Sequence, residues 1–176
     1  SSAASDVYKR QLQEGFREMV TRIVEESGTP EKQLILELTE SCKVSDPNGL
    51  RDDFEYFKNM GINMALDDFG TEYSSIALLR KLKPQWIKID HTFVRSIQDD
   101  EMDQAILEYI MNLSKQTRIK VCVEGVENKE ILSVVQTYKP ELLQGYYYSR
   151  PCPAEEFSKK YFNGKDKTGS YGCLKK

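Results

Sequence analysis

The stretch Leu34-Ile35-Leu36-Glu37-Leu38 is the first of five short apolar runs. Each run contains a charged or amide residue at a position that alternates with the apolar residues. Successive side chains of a β-strand point to opposite faces, so the three leucines share one face and Glu37 lies on the other. Four later runs follow the same rule: Met64-Ala65-Leu66-Asp67-Asp68, Trp86-Ile87-Lys88-Ile89-Asp90, Val121-Cys122-Val123-Glu124 and Leu142-Leu143-Gln144-Gly145. This pattern predicts an α/β fold in which parallel strands line a barrel, helices cover the outside and polar groups lie at the strand ends.

Helical segments separate the predicted strands. Met102, Ile106, Ile110 and Leu113 recur at helical spacing, and Asn128 is placed to cap the helix that follows. Alternation of helix and strand favours parallel pairing with right-handed crossovers. An eight-stranded barrel typically needs ~250 residues, and five strands are predicted over 34–38, 62–67, 86–90, 119–124 and 142–146. Two alternatives stay open: an open sheet, or a barrel whose N-terminal portion is missing.

One domain is predicted over residues 12–162. Residues 1–11 show no periodicity and resemble a translated sequencing adapter, so we expect a non-native leader there. Residues 163–176 carry few apolar side chains and are expected to form a flexible tail.

Composition narrows the class of protein. The 176 residues are 39% hydrophobic and 30% charged, as in an ordinary globular domain, and the net charge is −3. We therefore expect no binding of duplex nucleic acid, which requires lysine and arginine to neutralise phosphates. No apolar run reaches the ~18 residues that span a bilayer, so we expect no membrane contact from this segment. The four cysteines form no CxxC pair, which favours a reduced, cytoplasmic setting, although other domains of a longer parent protein could anchor it to a membrane.

Each polar residue at a strand end has an ordinary explanation. Glu37 or Lys88 can belong to a structural ion pair, with Lys88 bonded to Glu37 or Asp90. The pair Asp67-Asp68 can form a turn or a helix cap. Gln144 can simply satisfy a backbone group, or it can hydrogen-bond a ligand or water. Glu124 suggests a function directly, because a buried acid with a raised pKa can act as a general base.

Taken together, these groups favour a metal site. Parallel strands bring their carboxyl ends to one rim, where several carboxylates would repel one another unless a positive charge lay between them. One lysine is not enough. The chain has a single histidine, so the expected ligands are oxygen atoms, which favour Mg²⁺, Mn²⁺ or Ca²⁺ over zinc.

Five segments resemble, in order and spacing, the successive signatures of the EAL domain family: Leu36-Glu37-Leu38-Thr39-Glu40, Asp67-Asp68-Phe69-Gly70-Thr71, Lys88-Ile89-Asp90, Glu124-Gly125-Val126-Glu127 and Gln144-Gly145-Tyr146. The resemblance implies a modified (β/α)₈ barrel that hydrolyses cyclic di-GMP to linear pGpG with two Mg²⁺ or Mn²⁺. It also implies a homodimer formed through the barrel in the full-length protein.

The resemblance also implies roles for individual residues. Glu37, Asp67 and Asp68 resemble metal ligands, and Glu124 resembles the general base. Lys88 resembles the lysine that contacts the phosphate and the attacking water. The supporting or substrate-binding positions are Glu40, which resembles the glutamate that steadies the loop after Asp68, together with Asp90, Glu127 and Gln144.

Two departures from the family pattern stand out. The Glu-Ala-Leu motif and an early asparagine ligand would both precede Leu12 and are absent, so we expect the chain to be a C-terminal part of the domain with little activity alone. Glu72 replaces a glycine that is usual in the loop after Asp68, where positive φ is cheap only for glycine.

Three functions remain open at this stage. The parent protein is a cyclic di-GMP phosphodiesterase, or a catalytically inactive module that binds cyclic di-GMP or dimerises, or a metal-dependent hydrolase of another nucleotide.

Overall fold

Five parallel strands form a single sheet in the computed structural model, which describes residues 15–39, 47–71 and 75–162. The strands are β1 (Ile35–Thr39), β2 (Asn63–Phe69), β3 (Trp86–Ile89), β4 (Lys120–Val123) and β5 (Leu142–Leu143). Their order in the sheet is their order in the chain, and β1 and β5 lie at the two edges. Consecutive parallel order with right-handed crossovers places the connecting helices on one side, as in a partial (β/α)₈ barrel. The predicted fold class is confirmed.

Helices connect the strands. They are α1 (Phe16–Ser27), α2 (Pro47–Asn59), α3 (Ser75–Leu82), α4 (Glu101–Thr117), α5 (Lys129–Val135) and α6 (Ala154–Phe162), with short 3₁₀ turns at Glu31–Gln33, His91–Phe93 and Gln136–Tyr138. The Asn128 side chain accepts a hydrogen bond of 2.8 Å from the backbone N–H of Ile131, which confirms the expected cap of α5. Asp100 caps α4 in the same way.

The two faces of the sheet differ as the alternation predicts. Leu66, Ile87, Val121 and Val123 lie on the helix-facing side and are 2% exposed or less. They pack with apolar residues of the helices, such as Phe54, in one core. Burial of a large apolar side chain contributes about 1.5–3 kcal/mol, so this face accounts for much of the stability. On the other face the strand register sets Glu37 beside Ala65 and Lys88 beside Cys122. That inner face carries the polar groups.

β2 contains an irregularity at its carboxyl end. Its register with β3 shifts between Leu66 and Phe69, and Asp68 has a φ of 54°. The strand therefore runs two residues beyond the predicted end at Asp67. A bulge of this kind changes the direction of the side chains beside it, whereas in a regular strand two adjacent residues point to opposite faces.

β5 is shorter than predicted, since the pairing stops after Leu143 rather than at Tyr146. The loop after β4 lies beside the chain there: the backbone N–H of Val126 donates to the Gln144 carbonyl, and the N–H of Tyr147 donates to the Val126 carbonyl. A side chain at Gly145 would overlap the Val126 backbone, so this close approach requires glycine. The expectations for residues 1–11 and 163–176, and those for Glu40 and Glu72, lie outside the described residues.

Candidate metal centre

Lys88 lies at the centre of the polar face. Its Nζ is 2.9 Å from Glu37 Oε2, 2.9 Å from Asp67 Oδ1 and 2.8 Å from Glu124 Oε1. These acids belong to β1, β2 and the residue after β4, so the lysine links the strands on both sides of it. Burial alone would lower the pKa of Lys88, but its contacts with Glu124, Glu37 and Asp67 outweigh burial and raise that pKa. The ammonium group therefore stays charged at any physiological pH.

Three carboxylates gather beside this lysine. One oxygen from each of Asp67, Asp68 and Glu124 lies within 4.8 Å of the others. The bulge in β2 brings the two aspartates together, because Asp68 adopts positive φ and its N–H donates to Asp67 Oδ1 at 3.1 Å. The Asp67 side chain is only 9% exposed. Adjacent residues that would point apart in a regular strand thus supply oxygens to the same place.

The negative charge of this cluster exceeds the positive charge. Burial raises the pKa of Asp68, and the neighbouring charges of Asp67 and Asp90 raise it further. Burial also raises the pKa of Glu124, although its contact with Lys88 opposes that shift. Both carboxyls therefore hold a proton more tightly than usual until another cation arrives.

One carboxylate oxygen of the cluster has no aligned donor. Glu124 Oε1 is buried and lies 2.8 Å from Lys88 Nζ, yet among the described residues it has no hydrogen bond of acceptable geometry. The charge of Lys88 stabilises this oxygen across that distance. A buried acceptor without a donor is costly, and a metal ion would satisfy it.

The cluster fits a hard divalent cation. Mg²⁺ binds oxygen ligands at about 2.0–2.1 Å, which places the oxygens of one shell roughly 3–4 Å apart. The three carboxylate oxygens, all within 4.8 Å of one another, can approach that arrangement with small side-chain rotations. Asp67, Asp68 and Glu124 are thus the residues that could hold a metal, and Glu37 lies across Lys88 from Glu124.

Asp90 has a different role from the ion pair with Lys88 that the sequence suggested. Its Oδ1 accepts a hydrogen bond of 2.9 Å from the Thr92 N–H, and its Oδ2 is 2.9 Å from His91 Nδ1. The partners of Lys88 are Glu37, as expected, and Asp67 and Glu124 in place of Asp90. Burial opposes the charged form of Asp90, but the hydrogen bonds from Thr92 and His91 lower its pKa. This carboxylate fixes the turn after β3.

Two further predicted site residues, Gln144 and Glu127, lie at the margin of the cluster. Gln144 is exposed, and its backbone N–H donates to the Val123 carbonyl at 2.9 Å, which holds it at the rim. Glu127 is exposed and is not among the three clustered acids. Glu40 lies outside the described residues.

Sequence reasoning missed Gly125. Its φ is 74°, and a side chain there would overlap His91. The chain leaving β4 therefore packs directly on the turn after β3, which positions Glu124. The signal was present as a Glu-Gly pair that directly follows a buried strand. Cys122, next to Lys88 in the register, is a buried free thiol, and burial raises its pKa to about 12.

The fold and the acidic rim define a β/α-barrel-type domain with a candidate divalent-metal centre at the carboxyl ends of its strands. The family model of the EAL domain matches residues 6–151, which is most of the chain. The chain belongs to the EAL domain family.

Known relatives agree with this assignment. The cyclic di-GMP phosphodiesterase NbdA of Pseudomonas aeruginosa is 34% identical over 145 residues, which are 81% of this chain and 18% of NbdA. The EAL domain of Mycobacterium smegmatis DcpA has a TM-score of 0.82 at 30% identity, over 89% of this chain and 70% of that one. Klebsiella pneumoniae BlrP1, solved as a complex with manganese and cyclic di-GMP, has a TM-score of 0.75 at 29% identity, over 80% of this chain and 36% of that one.

The chain spans well under half the length of the curated relatives it matches. In the part of the chain that the structure describes, no helix has both the length and the apolar character needed to cross a bilayer.

Proposed function

We propose that this chain carries the catalytic centre of a metal-dependent phosphodiesterase that hydrolyses cyclic di-GMP to linear pGpG in bacterial signalling. The observation that carries the proposal is the cluster of Asp67, Asp68 and Glu124 oxygens within 4.8 Å, next to a buried and permanently charged lysine. The relatives named for this activity, and the neighbour solved with manganese and cyclic di-GMP, support the choice of substrate.

The metal ligands in this proposal are Asp67, Asp68 and Glu37. When bound, two Mg²⁺ or Mn²⁺ ions would polarise a phosphoryl oxygen and lower the pKa of a water. Asp67 is the most deeply buried of the three acids, and its Oδ1 is fixed by the Asp68 N–H. Asp67 would therefore fix the position of the two ions, while Asp68, at the bulge, would direct its carboxylate toward the same place.

Glu124 is the proposed general base. Its raised pKa makes it a better proton acceptor than an exposed glutamate, because a base is most effective when its pKa lies near the working pH. It would take a proton from the attacking water as the new P–O bond forms. The bond between phosphorus and the 3′ oxygen then breaks, and that oxygen takes a proton from solvent.

Lys88 cannot serve as a base, since its pKa is raised above the ordinary lysine value. Its Nζ now lies within 2.9 Å of three carboxylates. Lys88 can donate to an anionic phosphoryl oxygen only after one of those carboxylates leaves it and binds another cation. In the proposed site Lys88 thus contacts the phosphate and the attacking water, while Asp90, Gln144 and Glu127 are supporting or substrate-binding residues. Glu40 keeps the role that the resemblance implies, to steady the loop after Asp68. The homodimer implied by the family resemblance remains part of this proposal.

The test is turnover by the protein that contains this chain, purified with Mn²⁺ and supplied with cyclic di-GMP. Glu124→Gln should lower the rate of pGpG formation by roughly 10²–10⁴-fold, the usual contribution of a general base. Glu108→Gln is a matched control, since Glu108 is exposed on α4 away from the rim. The control should keep the full rate.

Binding must be measured alongside turnover. Calorimetric titration of cyclic di-GMP in Ca²⁺ should show that Glu124→Gln still binds the nucleotide. Nucleotide binding by the unsubstituted protein without any pGpG would refute the enzymatic proposal and establish an inactive binding module. Equal turnover by the Glu124→Gln variant would refute the role of that residue.

A further inference from the structure

A second cavity lies at the opposite end of the sheet from the acidic rim. Its volume is about 680 Å³, and its walls include Asn63, Gln85 and Lys120, which lie at the amino ends of β2, β3 and β4. Helices α3 and α4 form its sides. The cavity is of the size that small organic ligands occupy, and no residue of the candidate metal centre lines it.

The lining is strongly basic. Five cations face the cavity, namely Lys58, Arg80, Lys83, Arg118 and Lys120, and no aspartate or glutamate is among the lining residues. Arg80, Lys83, Arg118 and Lys120 take part in none of the ion pairs formed among residues 15–39, 47–71 and 75–162. Lys58 contacts Glu55 at 3.6 Å. Lys120 Nζ also lies 5.0 Å from the centroid of the Trp86 ring. In a chain with a net charge of −3, this concentration of positive charge favours an anion.

The helix ends do not account for this charge. Lys83 and Arg118 directly follow the C-termini of α3 and α4, and each such end carries roughly half a negative charge that attracts cations. Two ends therefore offset about one of the positive charges. The other cations remain available to a ligand.

The floor of the cavity is apolar. Leu79, Pro84 and Ile119 are buried in it, and Ile76 and Tyr109 are 60% and 57% exposed at its edge. Inorganic phosphate would satisfy the cations but leave the exposed Ile76 and Tyr109 side chains in contact with water. A ligand with a flat apolar body would cover the floor, and a tyrosine ring at the edge can stack on such a body.

We propose that this cavity binds a small organic phosphate, in which a phosphate group contacts Arg80, Lys83 and Arg118 and a flat aromatic body lies on the apolar floor against Tyr109. The site is separate from the acidic rim and does not depend on the function proposed for that rim. The ligand would bind at the amino ends of the strands, at the end of the sheet opposite the acidic rim. The cavity would therefore be a regulatory or secondary binding site.

The test is calorimetric titration of the full 176-residue chain in EDTA, with adenosine monophosphate as the probe. Adenosine and inorganic phosphate are titrated separately. Excess EDTA removes divalent ions, so the acidic rim repels phosphates. We expect saturable binding of adenosine monophosphate that is at least ~10-fold tighter than that of either part alone, and that weakens as salt is added.

Three substitutions locate the site. Arg118→Asn and Lys83→Asn remove charge at positions with φ of 60° and 47°, which asparagine tolerates better than most residues. Each should weaken binding of the probe by roughly three- to tenfold, the loss of one charge-assisted contact at a partly exposed site. Lys115→Gln removes an exposed charge from the same helix α4 outside the cavity, and should leave the dissociation constant unchanged.

Thermal unfolding of each variant confirms that its fold is intact. The proposal is overturned if adenosine monophosphate shows no saturable binding at millimolar concentration, or if adenosine alone binds as tightly. It is equally overturned if Arg118→Asn and Lys83→Asn bind the probe as well as Lys115→Gln does.

Discussion

Replacing Lys88 by methionine removes an ammonium group that lies within 2.9 Å of three carboxylates and keeps most of the volume of the side chain. The Lys88 side chain is 11% exposed, and those of Asp67 and Glu124 are 9% and 18% exposed. Removal of one partner from a buried ion pair costs about 3–5 kcal/mol. Glu37 is 32% exposed, so solvent screens its contact with Lys88. We therefore expect the free energy of unfolding to fall by about 3 kcal/mol at pH 8 without metal.

The sign of the pH dependence follows from the carboxylates. Without Lys88 they repel one another more strongly. Burial already raises the pKa of Glu124, so without the opposing lysine this carboxyl holds its proton still more tightly in the folded than in the unfolded state. Stability from such groups is present at low pH and is lost as pH rises through their folded pKa values. The deficit of Lys88→Met should therefore be smaller at pH 5 than at pH 8.

The assay is urea unfolding in EDTA, followed through the fluorescence of Trp86, the one tryptophan of the chain. A loss of 3 kcal/mol corresponds to a fall in melting temperature of roughly 6–12 °C for a domain of this size. Mn²⁺ should then stabilise Lys88→Met more than the unsubstituted protein, because the ion supplies the missing charge. Lys115→Met, at an exposed site on α4, should change stability by less than about 0.5 kcal/mol.

Two results would refute this reasoning. The first is a Lys88→Met variant as stable as the unsubstituted protein in EDTA at pH 8, which would mean that the three contacts contribute nothing. The second is equal stabilisation of both proteins by Mn²⁺, which would mean that the cation binds elsewhere.

Three further outcomes are expected. Mn²⁺ affinity should rise with pH and level off above the raised pKa values of Asp68 and Glu124, because the ion must displace their protons. Calorimetry in buffers of different ionisation enthalpy measures the number of protons released, and an affinity independent of pH would contradict this expectation. Gly125→Ala should lose about 1–3 kcal/mol in urea unfolding, since φ is 74° and the new methyl group would overlap His91; unchanged stability would show that the loop moves freely. Asn128→Ala should lose about 1 kcal/mol with the cap of α5, and no loss would mean that the cap is not needed.

The strands could be predicted from the sequence because the alternation of apolar and polar residues is a local property of each strand. Leu36, Ile87 and Val123 indicate the helix-facing side, and the strand bounds differ from those predicted by one or two residues at most ends. β5 is the exception. Its early end depends on the Val126 backbone, which comes from a distant part of the chain and leaves no local signal at Gly145.

The sequence predicted which residues form the candidate site but not how they are arranged. Parallel strands must bring their carboxyl ends together, so Glu37, Asp67, Lys88 and Glu124 were expected at one rim, and the structure places them there. The bulge that directs Asp68 toward the other acids depends on pairing between β2 and β3, which alternation cannot reveal.

The most direct test of the central claim is an anomalous difference map from crystals grown with Mn²⁺. We expect a peak about 2.0–2.6 Å from carboxylate oxygens of Asp67 and Asp68, the two proposed ligands in the acidic cluster; this is the distance range of divalent cations to oxygen ligands in proteins. A well-ordered map with no peak at these oxygens, or with its strongest peak at another acidic group, would contradict the account.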